Sequence, residues 1–373
     1  MPEITPGTAP VRFEERALGG GMRLALATLD APKSLHALTL EMIGLLDAAM
    51  QRWARDASIA CVVLQSSTDK AFCAGGDVRS LRDAILAQPR QIPNLAAQAF
   101  FSAEYRLDYR IHTFPKPVLV WGGGIVMGGG LGLMAGASHR VATETTRIAM
   151  PEVSIGLFPD VGGSWFLARM PGRCGLFLGL TGAAMNGADA VFTGLADYLI
   201  AQQERASVID ALCDADWRAA QPAGVTLDAV LRRFAAAPQA WPAAQVRTHF
   251  DAIEQMTAPR ACADVVSAIV AYKGDSPWLK RAAATLGAGS PLSVALAWSL
   301  RERARHLNLA DVFRLELNVA VRCCAHPDFA EGVRALLVDK DNAPQWQAAS
   351  PGHVAHCFAP LWHDHPLADL PTH

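Results

Sequence analysis

The sequence lacks most of the short signatures that would fix a chemistry at sight. Its eight cysteines (61, 73, 174, 213, 262, 323, 324 and 357) include no C-x-x-C pair. They form no disulfide-like pattern in so long a chain, so reduced thiols in a cytoplasmic compartment are expected. No G-K-[ST] closes a phosphate loop, and G-G-G-L-G-L at 128–133 does not fit the dinucleotide pattern G-x-G-x-x-G. No H-E-x-x-H occurs, and histidines 36, 112 and 139 stand without ligand spacing, so no metal site is expected. The absence of a G-x-S-x-G elbow disfavours a serine-hydrolase mechanism, and no cysteine shows a local activating partner. Lysine is scarce, at six of the 33 basic residues; with a net charge of −2 and no basic block, a nucleic-acid partner is not expected. The first fifteen residues hold Glu3, Glu14 and Glu15 and no apolar stretch, so neither a secretory signal nor a transit peptide is expected.

What is present describes a packed enzyme-sized chain. The 373 residues are 51% hydrophobic and 18% charged, with nine tryptophans and fourteen phenylalanines. That is enough for one large domain or a domain with a sizeable appendage. One segment imitates a membrane span: Val118 to Ser138 is uncharged over 21 residues. Eight of these are glycine, which would weaken a lone spanning helix, so a buried strand, turn and helix is the better reading and no membrane partner is expected.

Apolar runs at 23–29, 59–64 and 118–121 read as strands, with shorter ones at 139–143 and 147–150. Helical spacing marks 39–55, with Thr39 as cap, then 78–87, 93–113 and 128–137. The alternation argues for an α/β class with a mainly parallel sheet. From about residue 205 strand-like runs vanish and helices dominate to about 338. In that region Leu309, Phe313, Leu317 and Val321 stripe one face, and Asp328 with Glu331 resembles a capping box. The expected division is a core at 11–205, a helical region at 206–345 and an irregular tail at 346–373.

Two glycine clusters follow strands: A-F-C-A-G-G-D at 71–77 and Gly128-Gly129-Gly130. Glycine lets backbone approach a ligand, and amides at a helix start are unbonded, so two facing turns would aim two N–H groups at one oxygen. Tight helix packing is the plain alternative for either cluster alone. Glu152 and Asp160 both sit in apolar surroundings, where an unpaired carboxylate is costly and its pKa rises. Paired acids divide acid and base duties on one substrate. An extended path between them spans roughly 26 Å, so the chain must fold back for them to meet. The alternative is that Asp160 caps a helix beginning near Gly162. Glu104, flanked by Arg106, Asp108 and Arg110, reads by default as part of a solvated face.

Together the three motifs K-A-F-C-A-G-G-D-V-R, G-G-I-V-M-G-G-G-L-G-L and M-P-E-V-S-I-G-L-F-P-D-V-G-G resemble those of the crotonase (enoyl-CoA hydratase/isomerase) superfamily. The resemblance implies a spiral of ββα turns with a helical C-terminal region. It also implies an acyl-CoA thioester substrate, CoA being part of that substrate with no separate cofactor. By the same resemblance the Gly76 and Gly129 amides are oxyanion donors, Glu152 and Asp160 are catalytic, and Glu104, Lys33, Ala74, Gly75 and Asp77 contact the substrate. Hydratases of this kind carry a second glutamate two residues after the glycine triplet, where this chain has Gly132. The segments E-Y-R-L-D-Y, F-P-D-V-G-G-S and F-A-E-G-V-R-A-L-L-V-D-K-D-N-A-P-Q-W instead resemble a hydrolase branch acting on short, branched 3-hydroxyacyl-CoA esters such as 3-hydroxyisobutyryl-CoA, as in valine breakdown. Ser34 and His36 depart from the family, which more often shows Ala and Asn there. An enoyl- or dienoyl-CoA isomerase is the alternative within enzymes, and a non-catalytic acyl-CoA-binding protein the alternative outside them. The C-terminal helices are expected to cover the core, a homo-oligomer being one assembly the resemblance allows.

Overall fold

Nine strands lie between residues 11 and 199 in a computed structural model that describes residues 9–88, 91–217, 221–237 and 240–372. They are β1 (Val11–Ala17), β2 (Arg23–Leu29), β3 (Ile59–Ser66), β4 (Ala71–Cys73), β5 (Val118–Gly122), β6 (Ile125–Met127), β7 (His139–Ala142), β8 (Arg147–Ala149) and β9 (Tyr198–Leu199). Six form a sheet in the order β1-β2-β3-β5-β7-β9, and β4-β6-β8 form a second, three-stranded sheet. Only β1 runs antiparallel within the larger sheet, pairing Val11 with Leu29; β2–β3, β3–β5, β5–β7 and β7–β9 are parallel. Successive pairs β3/β4, β5/β6 and β7/β8 each place one strand in the large sheet and the next in the small one. Helical segments then follow at Val78–Ala87, Gly129–Ala135 and Glu152–Ile155. That repeat is the expected spiral of ββα turns.

The chain divides into two compact units. The first comprises residues 1–76, 110–148 and 185–244; the second 77–109, 149–184 and 245–373. The first unit owes its core to strands that are apolar on both faces, as β3 shows with seven of eight residues buried. Alternate residues Leu24, Leu26, Cys61, Val63, Leu119, Trp121 and Val141 pack with Val208, Ile209 and Leu212 of helix Arg205–Asp214. Leu227, Val230 and Leu231 of helix Ala223–Phe234 complete that layer. The boundary expected near residue 205 is therefore misplaced: these two helices cover the sheet itself, because their apolar faces complete its core.

The second unit is helical. Helix Cys174–Thr181 is buried all round, and helix Leu309–Ala325 buries the expected stripe of Leu309, Phe313, Leu317 and Val321. Two further expectations are corrected here. Helix Pro327–Val333 is capped by His326, whose side chain accepts from the Asp328 amide. Asp328 is buried and accepts from Ser290 Oγ at 2.6 Å, while Glu331 pairs with Arg334, so no capping box forms. The segment expected to be an irregular tail contains helix Pro351–Phe358, capped by Ser350. Asn318 holds its end through the carbonyls of Cys357 and Ala359, and Arg106 pairs with Asp369. Among the described residues no single helix is long and apolar enough to cross a membrane.

Candidate active site

In the first unit the parallel pairing of β4 with β6, Ala71 with Ile125 and Cys73 with Val126, ends both strands side by side. The two glycine turns that follow therefore adjoin. Gly75 has φ 109°, and a Cβ there would stand 3.4 Å from the Met127 carbonyl oxygen. A Cβ on Gly130 would fall 2.3 Å from the Cys73 carbonyl oxygen, closer than atoms can approach. Only glycine lets these turns meet. The Leu38 amide donates to the Gly75 carbonyl at 2.8 Å, and the Ala74 amide donates to the Leu35 carbonyl at 3.1 Å. His36 is buried on that supporting segment and its Nδ1 accepts from the Ala31 amide, so its departure from the family pattern serves the turn. Lys33, in the short helix Pro32–Ser34, is exposed. Gly129 is the first residue of helix Gly129–Ala135, where amides have no intrahelical acceptor by position. Gly132 is buried inside that helix.

Besides Asp328, the second unit buries a set of five carboxyls: Glu104, Asp108, Glu152, Asp160 and Glu316. Glu152 opens the short helix Glu152–Ile155 and its Oε2 is buried without a hydrogen-bond partner. Asp160 Oδ2 accepts from the Tyr105 hydroxyl at 2.6 Å. Glu104 and Asp108 are each only 2% exposed, which overturns the solvated-face reading. The reason is helical phase: residues 104 and 108 share the inward face, whereas Arg106 and Arg110, two positions off, pair with Asp369 and Asp47. One Glu104 oxygen and both Asp108 oxygens have no hydrogen-bond partner. Asp160 does not cap the helix that starts after Gly162. That work falls to Glu316, which accepts from the Gly162 and Ser164 amides at 2.8 and 2.9 Å. The Asp77 side chain is occupied in capping helix Val78–Ala87, accepting from Ser80.

Burial lifts every member of this acid set, because a low dielectric disfavours the charged form. Asp160 is pushed up to about 7 by burial, against the Tyr105 hydrogen bond, which pulls it down. Glu316 is pushed up to about 8 by burial and by the charge on Asp160. Glu152 stands well above the ordinary carboxylate range from burial, then from Asp160 and Glu104; Glu104 rises likewise from burial and the charge on Asp160, and Asp108 from burial and then the charges on Glu104, Asp160 and Glu316. Among the described residues, no arginine, lysine or histidine stands among the leading causes of any of the five shifts. Acids raised in this way hold their protons to higher pH than ordinary carboxyls, which suits general acid–base chemistry. Among the described residues no group of three or more His, Cys, Asp or Glu is disposed to hold a metal ion.

Glu316, Asp108 and Tyr105 were not singled out from the sequence. Glu316 leaves one trace there, an acid directly beside the apolar stripe of Phe313 and Leu317.

A ββα spiral, paired glycine turns and buried acids without counter-charge define an acyl-CoA enzyme of the crotonase kind. The chain belongs to the enoyl-CoA hydratase/isomerase family, whose sequence profile it matches over residues 24–358. It is 35% identical over 336 residues to the mitochondrial 3-hydroxyisobutyryl-CoA hydrolase of Danio rerio, covering 90% of this chain and 86% of that protein. The protein of that name from Homo sapiens is 30% identical over 351 residues, covering 94% and 87%. Among solved structures, an enoyl-CoA hydratase from Rhodobacter sphaeroides 2.4.1 superposes with a TM-score of 0.80 at 35% identity, covering 94% of this chain and 97% of that one. A carnitinyl-CoA dehydratase from Mycobacterium thermoresistibile gives 0.81 at 33%, covering 93% and 96%.

Proposed function

We propose that this chain hydrolyses a short, branched 3-hydroxyacyl-CoA thioester, 3-hydroxyisobutyryl-CoA, to the free acid and CoA. The observation that carries the reading is Glu152, a buried carboxyl with one oxygen unpartnered and no cation beside it. A charge so placed is costly unless chemistry requires it. In this reading the Gly76 and Gly129 amides hold the thioester oxygen and stabilise the oxyanion of the tetrahedral intermediate. Each such donor is worth about 3 kcal/mol of barrier. Glu152 acts in one of two balanced ways. As base it takes a proton from water, the new hydroxide adds to the carbonyl carbon, the C–S bond breaks, and the thiolate recovers the proton. As nucleophile it adds to the carbonyl carbon itself, expels the thiolate and forms a mixed anhydride; water then opens this, its hydroxyl going to the acyl carbon and its other proton to the thiolate, which frees the acid and restores the Glu152 carboxylate. Asp160 orients the attacking group or the substrate hydroxyl, with Glu104 contributing to binding. CoA leaves as product, so the scheme requires no cofactor.

Gly132 supports hydrolysis over hydration, because the place of a hydratase's second glutamate has no side chain. The test is a thiol-release assay with 3-hydroxyisobutyryl-CoA beside a panel of enoyl- and hydroxyacyl-CoA esters. Stoichiometric free thiol from the branched hydroxyacyl ester supports the proposal. Turnover of enoyl-CoA without thiol would replace it with an isomerase or hydratase, and tight binding without turnover with a binding protein.

A further inference from the structure

Asp160 lies on a loop that does not hold its own shape. Val161 has φ 52° and Gly162 has φ 82°, two successive residues in the left-handed region, and a β-branched residue is strained there. The helix that follows, Gly163–Phe166, has only four residues and a glycine at its N-cap, so its first amides receive no cap from their own segment. A conformation of this kind persists only when its surroundings impose it.

The surroundings are one face of helix Leu309–Ala325. Glu316 Oε2 accepts from the Gly162 amide at 2.8 Å and Oε1 from the Ser164 amide at 2.9 Å, while the Gly163 amide donates to the Asp160 carbonyl at 2.6 Å. All three amides after Val161 are thereby occupied. One turn back on that face, Phe313 stands 5.6 Å from the Tyr105 ring, whose hydroxyl donates to Asp160. A single helix thus supports Asp160 twice, through its backbone and through its hydrogen-bond donor. Glu316 is fully buried and meets no cation. Burying an acid costs stability that an apolar residue at this place would not lose, and helix capping alone needs only a neutral acceptor.

We propose that Glu316 is a positioning residue for the thioester reaction, acting through Asp160 by clamping the loop from Asp160 to Ser164. The inference rests on the catalytic role given to Asp160 above. Glu316 touches neither substrate nor reacting atoms. Its replacement is expected to lower kcat with little change in KM, because a displacement of about 1 Å at a reacting group costs up to a hundredfold in rate.

The test is a double-mutant cycle in thiol release with E316Q, D160N and the combination. Glutamine keeps the volume but turns a donor toward one of the two amides. For E316Q, kcat is expected to fall about 10- to 100-fold with KM within about threefold. In the D160N background the same change is expected to cost less than about twofold, because residues acting as a unit are not additive. E316D, which keeps the charge one methylene short, runs through the same cycle should E316Q fail to fold. An E316Q kcat within about twofold of the parent, or losses that multiply in the double variant, overturns the inference while leaving the Asp160 role standing. Parent-like turnover in D160N itself overturns that role instead, and the clamp's catalytic meaning with it.

Discussion

Asp160 offers a test that needs no substrate. Its carboxyl is pushed up to about 7 from an ordinary 3.8, chiefly by burial. Between those values the folded chain keeps a proton that the unfolded chain releases. The group's contribution to stability is therefore whole at low pH and is lost as pH rises through the folded pKa. A gap of about 3 pKa units corresponds to roughly 4 kcal/mol in full, and about 3 kcal/mol of it falls between about pH 5 and about pH 8. Asp160→Asn keeps the shape and leaves an oxygen to accept from Tyr105, but cannot titrate. Urea unfolding of both proteins across that range gives the comparison: titrations remote from the acid set cancel in the difference, and the neighbours that the Asp160 charge raises, Glu152 and Glu316 among them, change it in the same direction. The variant is expected to gain about 3 kcal/mol on its parent as pH rises, on the order of the full linkage. A parent that gained on the variant instead would mean that Asp160 ionises more easily folded than unfolded. The picture of an acid set without counter-charge would then be wrong.

Other outcomes follow from the same geometry. The activity of the parent should fall on the acid side at a pH well above the ordinary carboxylate range, because Glu152 must lose a proton that burial holds on; a rate profile flat down to about pH 5 would contradict this. Glu104→Gln removes one of the charges that raise Glu152, so the acid limb of kcat/KM should move to lower pH, and a shift upward would refute the coupling. Gly130→Ala would place a Cβ 2.3 Å from the Cys73 carbonyl oxygen, and a loss of about 1–3 kcal/mol in urea unfolding is expected; an unchanged midpoint would show that the two turns do not meet as described.

Much of this was legible because the features concerned are local. Strand runs such as 59–64 are apolar throughout and need no partner to be recognised, and the glycine clusters mark turns by composition. The residues that were misread depend on phase or on distant chain. Glu104 sits among charged neighbours in sequence, yet helical phase sends Arg106 and Arg110 one way and Glu104 and Asp108 the other. Glu316 caps amides that lie about 150 residues earlier, an interaction with no local signal. The same holds for helices Arg205–Asp214 and Ala223–Phe234, whose periodicity says helix but not which sheet they cover. His326 supplanted Asp328 as a cap because Asp328 found a buried serine instead.

The most direct measurement is CoA release from 3-hydroxyisobutyryl-CoA by Glu152→Gln, beside its parent and with folding confirmed by thermal melting. The account predicts that thiol appears with the parent and that the variant, although folded, releases none above background. A folded variant that releases thiol at the parent's rate would contradict it.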